Sequence, residues 1–155
     1  MPLEIERKFL VDTRRLGNLP DGKRYRQGYL PTAGKISVRA RICDDAAWLT
    51  IKGETIGATR QEYEYPIPVS DAEGMLDSLC AGSIIDKVRH LVEHAGHTWE
   101  VDIFAGDNTG LVIAEVELEA EDETVELPDW ITGEVTQDPR YYNANLVTNP
   151  YCNWK

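Results

Sequence analysis

The chain has 155 residues, 42% of them hydrophobic and 28% charged, a composition typical of a soluble chain that folds as one domain with a sizeable core. Its formal net charge of −11 excludes the broad basic footprint of sequence-independent DNA or RNA binding, yet leaves room for a local basic cluster around a small anion. Cys43, Cys80 and Cys152 show neither zinc spacing nor a disulfide framework, charge begins at residue 4, and no apolar run reaches the ~18 residues of a membrane span, so a reducing cytoplasm is the expected home.

The chain opens on Glu4-Ile5-Glu6-Arg7-Lys8 and runs on as Phe9-Leu10-Val11. Read as a strand, it puts Glu4, Glu6 and Lys8 on one face and Ile5 with Arg7 on the other. Two carboxylates two residues apart stand roughly 7 Å apart along a strand. A hard divalent cation such as Mg²⁺ between them relieves their repulsion. Taken alone, the stretch is better explained by a solvated face with a surface ion pair. Residues 12–22 read as a loop with turn chemistry at Pro20-Asp21-Gly22. Lys23 to Leu30 is strand-like, with Tyr25, Gln27 and Tyr29 on one face and Gly28 interrupting the pattern. Ile36 to Cys43 and Ala47 to Gly53 read as a hairpin. Its first strand sets Ser37, Arg39 and Arg41 against Ile36, Val38, Ala40 and Ile42. Its second sets Thr50 and Lys52 against Leu49 and Ile51.

Arg60 to Val69 is extended, with Glu62 and Glu64 opposed to Gln61, Tyr63 and Tyr65, and Pro66 and Pro68 imply that it ends at an edge or bulge. Ser70-Asp71-Ala72-Glu73 is a capping-box pattern, which predicts a helix from there to about Cys80, stopped by Ala81-Gly82-Ser83. Ile85 to Glu93 carries Lys87 and Arg89 on one face. Thr98 to Phe104 pairs back with Glu100 and Asp102. Leu111 to Ala120 sets Glu115, Glu117 and Glu119 against Ala114, Val116 and Leu118. After Glu121 the chain is irregular until Asp138-Pro139, which predicts the start of a short helix over Arg140 to Val147.

Strand after strand therefore carries charge on one parity and apolar residues on the other. An antiparallel sheet with one wet face accounts for that. A wet face, however, mixes signs, because like charges opposite one another destabilise. Here the signs are sorted by strand: Glu4/Glu6, Glu62/Glu64, Glu100/Asp102 and Glu115/Glu117 are acidic pairs, Arg39/Arg41 and Lys87/Arg89 are basic ones. If the sheet closes, an ~8-stranded barrel is wide enough for a small ligand. The apolar parity then faces outward under the helices and the tail, and the charged parity lines a lumen suited to a metal-bound polyphosphate. The pattern alone leaves the wet face and the lumen both open.

Glu4-Ile5-Glu6-Arg7-Lys8 matches the ExExK signature of the CYTH superfamily, the triphosphate tunnel metalloenzymes. Arg26 to Leu30, Val38 to Arg41, Leu49 to Lys52, Arg60 to Glu64, Lys87 to Arg89, Glu100 to Asp102, Glu115 to Leu118 and Asp138 to Asn143 resemble further motifs of that family in family order. The likeness covers nearly the whole chain and is to the short, single-domain bacterial members, which are mostly inorganic triphosphatases. It implies one domain over residues 1–155, mainly β, an eight-stranded antiparallel tunnel with helices outside and a C-terminal helix near one mouth. It implies hydrolysis of inorganic triphosphate with Mg²⁺ or Mn²⁺. Carried over by motif, Lys8, Arg39, Arg41, Lys52, Lys87 and Arg89 would bind the triphosphate and act in catalysis, with Tyr29 beside the phosphate chain. Glu4, Glu6, Glu115 and Glu117 would hold the metal. Glu62, Glu64 and Asp102 would join the substrate contacts, and Glu100 would also face the lumen. The run Asn149 to Lys155 has no counterpart in that pattern.

Class IV adenylate cyclase and thiamine triphosphatase are the alternatives within the family, but no aromatic cluster plainly supplies a pocket for adenine or thiamine. A non-catalytic polyphosphate- or nucleotide-binding module would not require all four metal-site glutamates. The expected partner is a triphosphate-bearing small molecule, with no nucleic acid and no membrane, and a homodimer is left open. His90, His94 and His97 cluster at a predicted hairpin and read as exposed loop residues. Cys43 reads as unreactive packing and Ser37 as a neutral lumen hydrogen-bonder, since no base is placed for either.

Overall fold

The alternating segments form strands in a computed structural model that describes residues 3–154. They are β1 (Leu3–Val11), β2 (Lys23–Leu30), β3 (Ser37–Cys43), β4 (Ala46–Lys52), β5 (Thr59–Ile67), β6 (Ala81–His94), β7 (His97–Phe104), β8 (Val112–Glu117) and β9 (Ile131–Glu134). Their order is β5-β4-β3-β2-β6-β7-β8-β1-β9, every pairing antiparallel. The start of β1 pairs back with β5 through Leu3–Gln61, Glu4–Arg60 and Ile5–Thr59, which closes eight strands into a barrel. Further along, β1 takes β9 as its neighbour instead, from Phe9 opposite Glu134 to Val11 opposite Ile131. The short β9 lies in the tail that the sequence pattern gives as irregular.

Residues opposite one another across a ladder share a face. Lys8 faces Glu115 and Glu115 faces Glu100; Arg39 faces Thr50 and Thr50 faces Glu64; Arg89 faces Asp102. The charged parity is thus a single surface, and closure turns it inward. The apolar parity points out and is covered in patches. On β1, β7 and β8, Phe9, Trp99, Val101, Ala114 and Val116 pack under Trp130 of the tail, with Phe9–Trp99 and Trp99–Trp130 ring centroids 5.5 and 5.8 Å apart. Burial of a side chain such as Phe9 contributes about 1.5–3 kcal/mol. Leu16 of the one-turn helix α1 (Thr13–Leu16) adds to that cover.

Helix α2 (Val69–Ser78) covers β2, β3 and β4 through Ala72 and Leu76 against Ile42 and Ala47. Gly28 is the device that lets it lie so close: a Cβ there would stand 2.8 Å from Cys80 Sγ and 2.9 Å from Leu76 Cδ2. The expected capping box does not form. Pro68 is the cap, with no side-chain bond, and Ser70 lies inside the first turn. Proline presets the φ of −60° seen there, so the helix starts without a polar cap. The expected stop at residues 81–83 is instead the beginning of β6. Gly82, at φ 72°, allows close passage of the tail, since a Cβ would stand 2.5 Å from Val147 O.

The third cluster is of a different kind. Ile85 lies opposite the inward Gln27, and Ile113 opposite the inward Asp102, so both point into the barrel. With Phe104 and Leu111 they form an apolar end to the interior, and Tyr141, Leu146 and Val147 of the tail pack on it. The expected helix over residues 140–147 is broken in two: a 3₁₀ turn at Pro139–Tyr141, and one turn of α3 (Asn143–Leu146). Tyr142 between them is extended, at φ −70° and ψ 132°. Among the described residues no helix is long and apolar enough to cross a membrane.

Candidate active site

A cavity of about 690 Å³ occupies the barrel interior above this apolar end. The ring order sets β3, β2 and β6 side by side, which gathers Arg39 and Arg41, then Tyr25, Gln27 and Tyr29, then Lys87 and Arg89 into one basic wall. Four strands away in either direction lies β1. Around it, β5, β1, β8 and β7 supply Glu62 and Glu64, Glu4 and Glu6, Glu115 and Glu117, Glu100 and Asp102 as an acidic wall. Lys8, Lys52 and Arg60 are cations set at or within that acidic side.

On the basic wall the guanidinium groups are held but not neutralised. Arg39 and Arg41 approach Glu64 Oε2 at 3.7 and 3.4 Å, and share this one carboxylate with Thr50, whose hydroxyl donates to it at 2.8 Å. Arg39 Nη2 also donates to Thr50 Oγ1 at 3.3 Å. The Nε atoms of both arginines are buried without a partner. Arg41 lies over the rings of Tyr25 and Trp48 at 5.2 and 5.1 Å, and Arg89 over Tyr25 at 5.4 Å. Burial and the adjacent Arg39 charge lower the pKa of Arg41. Two crowded cations with spare donors form a receptor for an anion, and the guanidinium fork suits phosphate oxygen.

Lys87 and Arg89 are anchored more deeply. Arg89 grips Asp102 with Nε at 2.7 Å and Nη2 at 2.9 Å, and reaches Glu100 with Nη1 at 3.1 Å. Lys87 Nζ lies 2.8 Å from Asp102 Oδ2 and 3.1 Å from Asn143 Oδ1. Burial pulls Lys87 down to about 8, against the opposing charge of Asp102. Asp102 corrects the expectation that it contacts substrate. It is 0% exposed, does not line the cavity, and spends both oxygens on the two cations. It holds the basic wall from behind.

The acidic wall carries the opposite imbalance. Burial disfavours the Glu4 carboxylate, but Lys52 Nζ at 2.9 Å from both oxygens and Arg60 Nε at 3.2 Å hold its pKa at about 2. Burial and a hydrogen bond to Glu4 push Glu62 up to about 7. Glu6 is raised well above the carboxylate range by burial, then by Glu115 and Glu4. Glu115 is disfavoured by burial as well, yet Lys8, 3.9 Å away, and a bond from Glu6 hold it well below. Of that pair Glu6 keeps the proton, because Glu115 has the lysine. Glu117 stands across the β1–β8 ladder from Glu6 and also lines the cavity.

Carboxyl groups packed closely enough to share a proton offer oxygen donors and unrelieved negative charge, and hard divalent cations take both. Among the described residues no three such side chains gather as a closed ligand set.

Lys8, Tyr29, Arg39, Arg41, Lys52, Lys87 and Arg89, with Glu4, Glu6, Glu62, Glu64, Glu100, Glu115 and Glu117, all line the cavity, as does Ser37. The sequence reading missed Arg60, although it shares the parity of Glu62 and Glu64 in the same strand. It also missed Lys35 at the rim and Gln137, Tyr142, Asn143 and Asn145 of the tail, which carry no strand parity to read. Lys8 Nζ donates to Tyr141 O at 3.2 Å and lies 5.4 Å from the Tyr142 ring. His90, His94 and His97 lie away from the cavity, paired with Pro20 O, Glu126 and Glu123.

The CYTH domain family matches residues 2–151. An inorganic triphosphatase of Acetivibrio thermocellus is 50% identical over 155 residues, covering 100% of this chain and 99% of that one. An inorganic triphosphatase of Nitrosomonas europaea is 40% identical over 152 residues, covering 93% and 96%. The crystal structure of an inorganic triphosphatase superposes with a TM-score of 0.66 at 35% identity, covering 95% of each chain. A Pyrococcus horikoshii protein shares the fold at 15% identity with a TM-score of 0.59, covering 94% and 96%.

Proposed function

The chain belongs to the CYTH domain family, and from that premise we propose that it hydrolyses inorganic triphosphate to pyrophosphate and phosphate inside the barrel, with Mg²⁺ or Mn²⁺. The observation that carries the reading is the division of one enclosed cavity into a basic and an acidic wall. The names of the relatives at 50% and 40% identity support the substrate.

Phosphoryl transfer needs little covalent help from protein; positioning and charge stabilisation do most of the work. Arg39, Arg41, Lys87 and Arg89 bind the chain of phosphates from one side, Lys8 and Lys52 from the other. Their donors are fixed before substrate arrives, so they stabilise charge on the transferring phosphoryl group without reorganising. Glu4, Glu6, Glu115 and Glu117 would hold the cation, which when bound supplies Lewis-acid neutralisation of phosphate oxygens. Water forms the new P–O bond in line as the bridging P–O bond breaks. Pyrophosphate departs with that bond's electrons, its charge met by the arginines. The surrounding walls lower the effective dielectric around the remaining oxygens and strengthen each of these interactions.

The test is a phosphate-release panel with tripolyphosphate, ATP, thiamine triphosphate and pyrophosphate, with and without each metal. Tripolyphosphate should lead ATP in kcat/KM, pyrophosphate should be poor, and release should stop without metal. A tenfold preference for ATP, about 1.4 kcal/mol in transition-state binding, or cyclic AMP among the products, would overturn the substrate.

A further inference from the structure

Of the tail side chains that line the cavity, Asn143 bonds to a cation of the basic wall, and the triphosphatase reading leaves its chemistry unused. Asn143 begins α3, directly after the extended Tyr142. Its Oδ1 accepts from Lys87 Nζ at 3.1 Å and from Gln27 Nε2 at 3.1 Å. Gln27 is fully buried, and its own Oε1 has no partner. Accepting two donors fixes the orientation of the Asn143 amide, since the reverse orientation would set an NH₂ against an ammonium. An ammonium has three N–H donors. Asp102 takes one at 2.8 Å and Asn143 another. One donor is left, and Lys87 lines the cavity.

We propose that Asn143 is a positioning residue for the reaction: its amide oxygen, with Asp102, holds the Lys87 ammonium so that one remaining N–H is aimed at a phosphate oxygen. The proposal rests on the triphosphatase reading, and it gives the tail a part in turnover. Asp102 alone would fix distance but leave the ammonium free to rotate about Cε–Nζ. A second acceptor from a different element removes that freedom. Gln27 locks the acceptor in turn. Binding of the phosphate chain relies on several other cations, so loss of this one alignment should lower kcat more than it raises KM.

The experiment compares Asn143→Leu, Asn143→Asp and Thr148→Val with the wild-type chain. Wild-type hydrolysis of tripolyphosphate is the control for the triphosphatase reading and fails separately from the comparison. Asn143→Leu keeps the branched heavy-atom shape and removes the acceptor; kcat should fall about tenfold while KM moves less than about threefold. Asn143→Asp restores an acceptor oxygen and should recover kcat to within about threefold. It should also shift the alkaline limb of the pH profile upward, because a carboxylate joins Asp102, Arg89 and Glu115 in the field at Lys87. Thr148→Val removes a tail hydrogen bond to Asn145 O that does not reach Lys87, and should leave activity unchanged. Wild-type kcat in Asn143→Leu, or an Asn143→Asp variant as slow as Asn143→Leu, would overturn the proposal. If Asn143→Leu melts early, the activity and pH profile of Asn143→Asp decide it.

Discussion

The basic and acidic walls of the cavity are built on the same strand parity, yet they solve burial of charge in opposite ways. The basic wall is braced from behind. Asp102 takes Lys87 and Arg89, Glu64 and Thr50 steady Arg39 and Arg41, and aromatic rings lie beneath the guanidinium groups. What it leaves unmet is donors: two buried Nε atoms and an ammonium with one N–H to spare. The acidic wall is not braced in this way. Its members lean on each other, and protons or lysines stand where charge must be balanced. The difference teaches that buried cations are met by fixed carboxylates behind them, whereas buried carboxylates are met by shared protons and by Lys8, Lys52 and Arg60.

The largest effect should follow from breaking the basic wall. Arg41→Ala removes a charge that we propose meets the phosphates and leaves Glu64 with one guanidinium fewer. Loss of one preorganised donor at a developing charge costs about 10²–10³ in rate. We expect kcat/KM for tripolyphosphate to fall by that factor while the melting temperature holds, because the guanidinium is not a packing element of the three apolar clusters. Steady-state kinetics beside a thermal melt make the check. A variant within threefold of wild type would remove Arg41 from the site.

Next comes a variant with effects of opposite sign. Glu6→Gln keeps the shape and the uncharged form that burial, Glu115 and Glu4 impose on Glu6, and removes the cost of protonating it. Metal-dependent turnover should fall about 10²-fold, in line with the several kcal/mol that such a cation supplies. In chelator the same variant should melt on the order of 2–4 °C higher, the shift that about 1 kcal/mol produces in a chain of this size. Lower stability in chelator would show that Glu6 is satisfied as it stands.

How much of this was legible follows the physics of a strand. Alternation reports the face of a residue, so the sorted pairs gave the charged face and its signs, while closure into a lumen came from the family resemblance. It does not report depth. Asp102 has the same parity as Glu100, yet lies beneath the cavity floor because β7 continues inward to Phe104. Arg60 is readable by parity, since it shares a face with Glu62 and Glu64. Asn143 lies in the family-like motif over Asp138 to Asn143, but its place beside Lys87 depends on Tyr142 breaking the tail helix, a break held by Tyr141 and Leu146 packing on the barrel's apolar end and by bonds such as Asn145 Nδ2 to Pro139 O. The capping-box pattern at residues 70–73 misled for a related reason, since Pro68 begins the helix earlier than any polar cap could.

A moderate effect should appear in pH dependence. Glu62 and Glu6 bind their protons more tightly folded than unfolded. The stability they lend is full below the ordinary carboxylate value of 4.5 and is lost as pH rises, through about 7 for Glu62. Glu4 runs the other way: its contribution is present above 4.5 and is lost as pH falls towards about 2. In chelator the chain should therefore melt lower at about pH 8 than at about pH 5.5. Added Mg²⁺ should flatten that slope, because the cation takes the proton's place. A melting temperature independent of pH in chelator would mean that the acidic wall is not strained.

The smallest effect belongs to the rim, where the comparison between walls ends. Lys35 lines the mouth and pairs with Glu54 at 3.0 Å, but the two side chains are 74% and 53% exposed. Such pairs are worth about 0–1 kcal/mol and are screened by salt. Lys35→Ala should leave kcat unchanged and raise KM for tripolyphosphate about twofold at low ionic strength, through the lost attraction on an approaching anion. The twofold change should disappear at about 1 M salt, where the Debye length falls to about 3 Å. Arg41→Ala, by contrast, should stay impaired at any salt, since its charge acts inside the enclosed cavity at contact distance. The two variants, assayed side by side across a salt series, separate steering at the mouth from binding in the lumen. A Lys35→Ala defect that survives high salt would extend the binding wall out to the rim, with Lys35 in direct contact with the substrate.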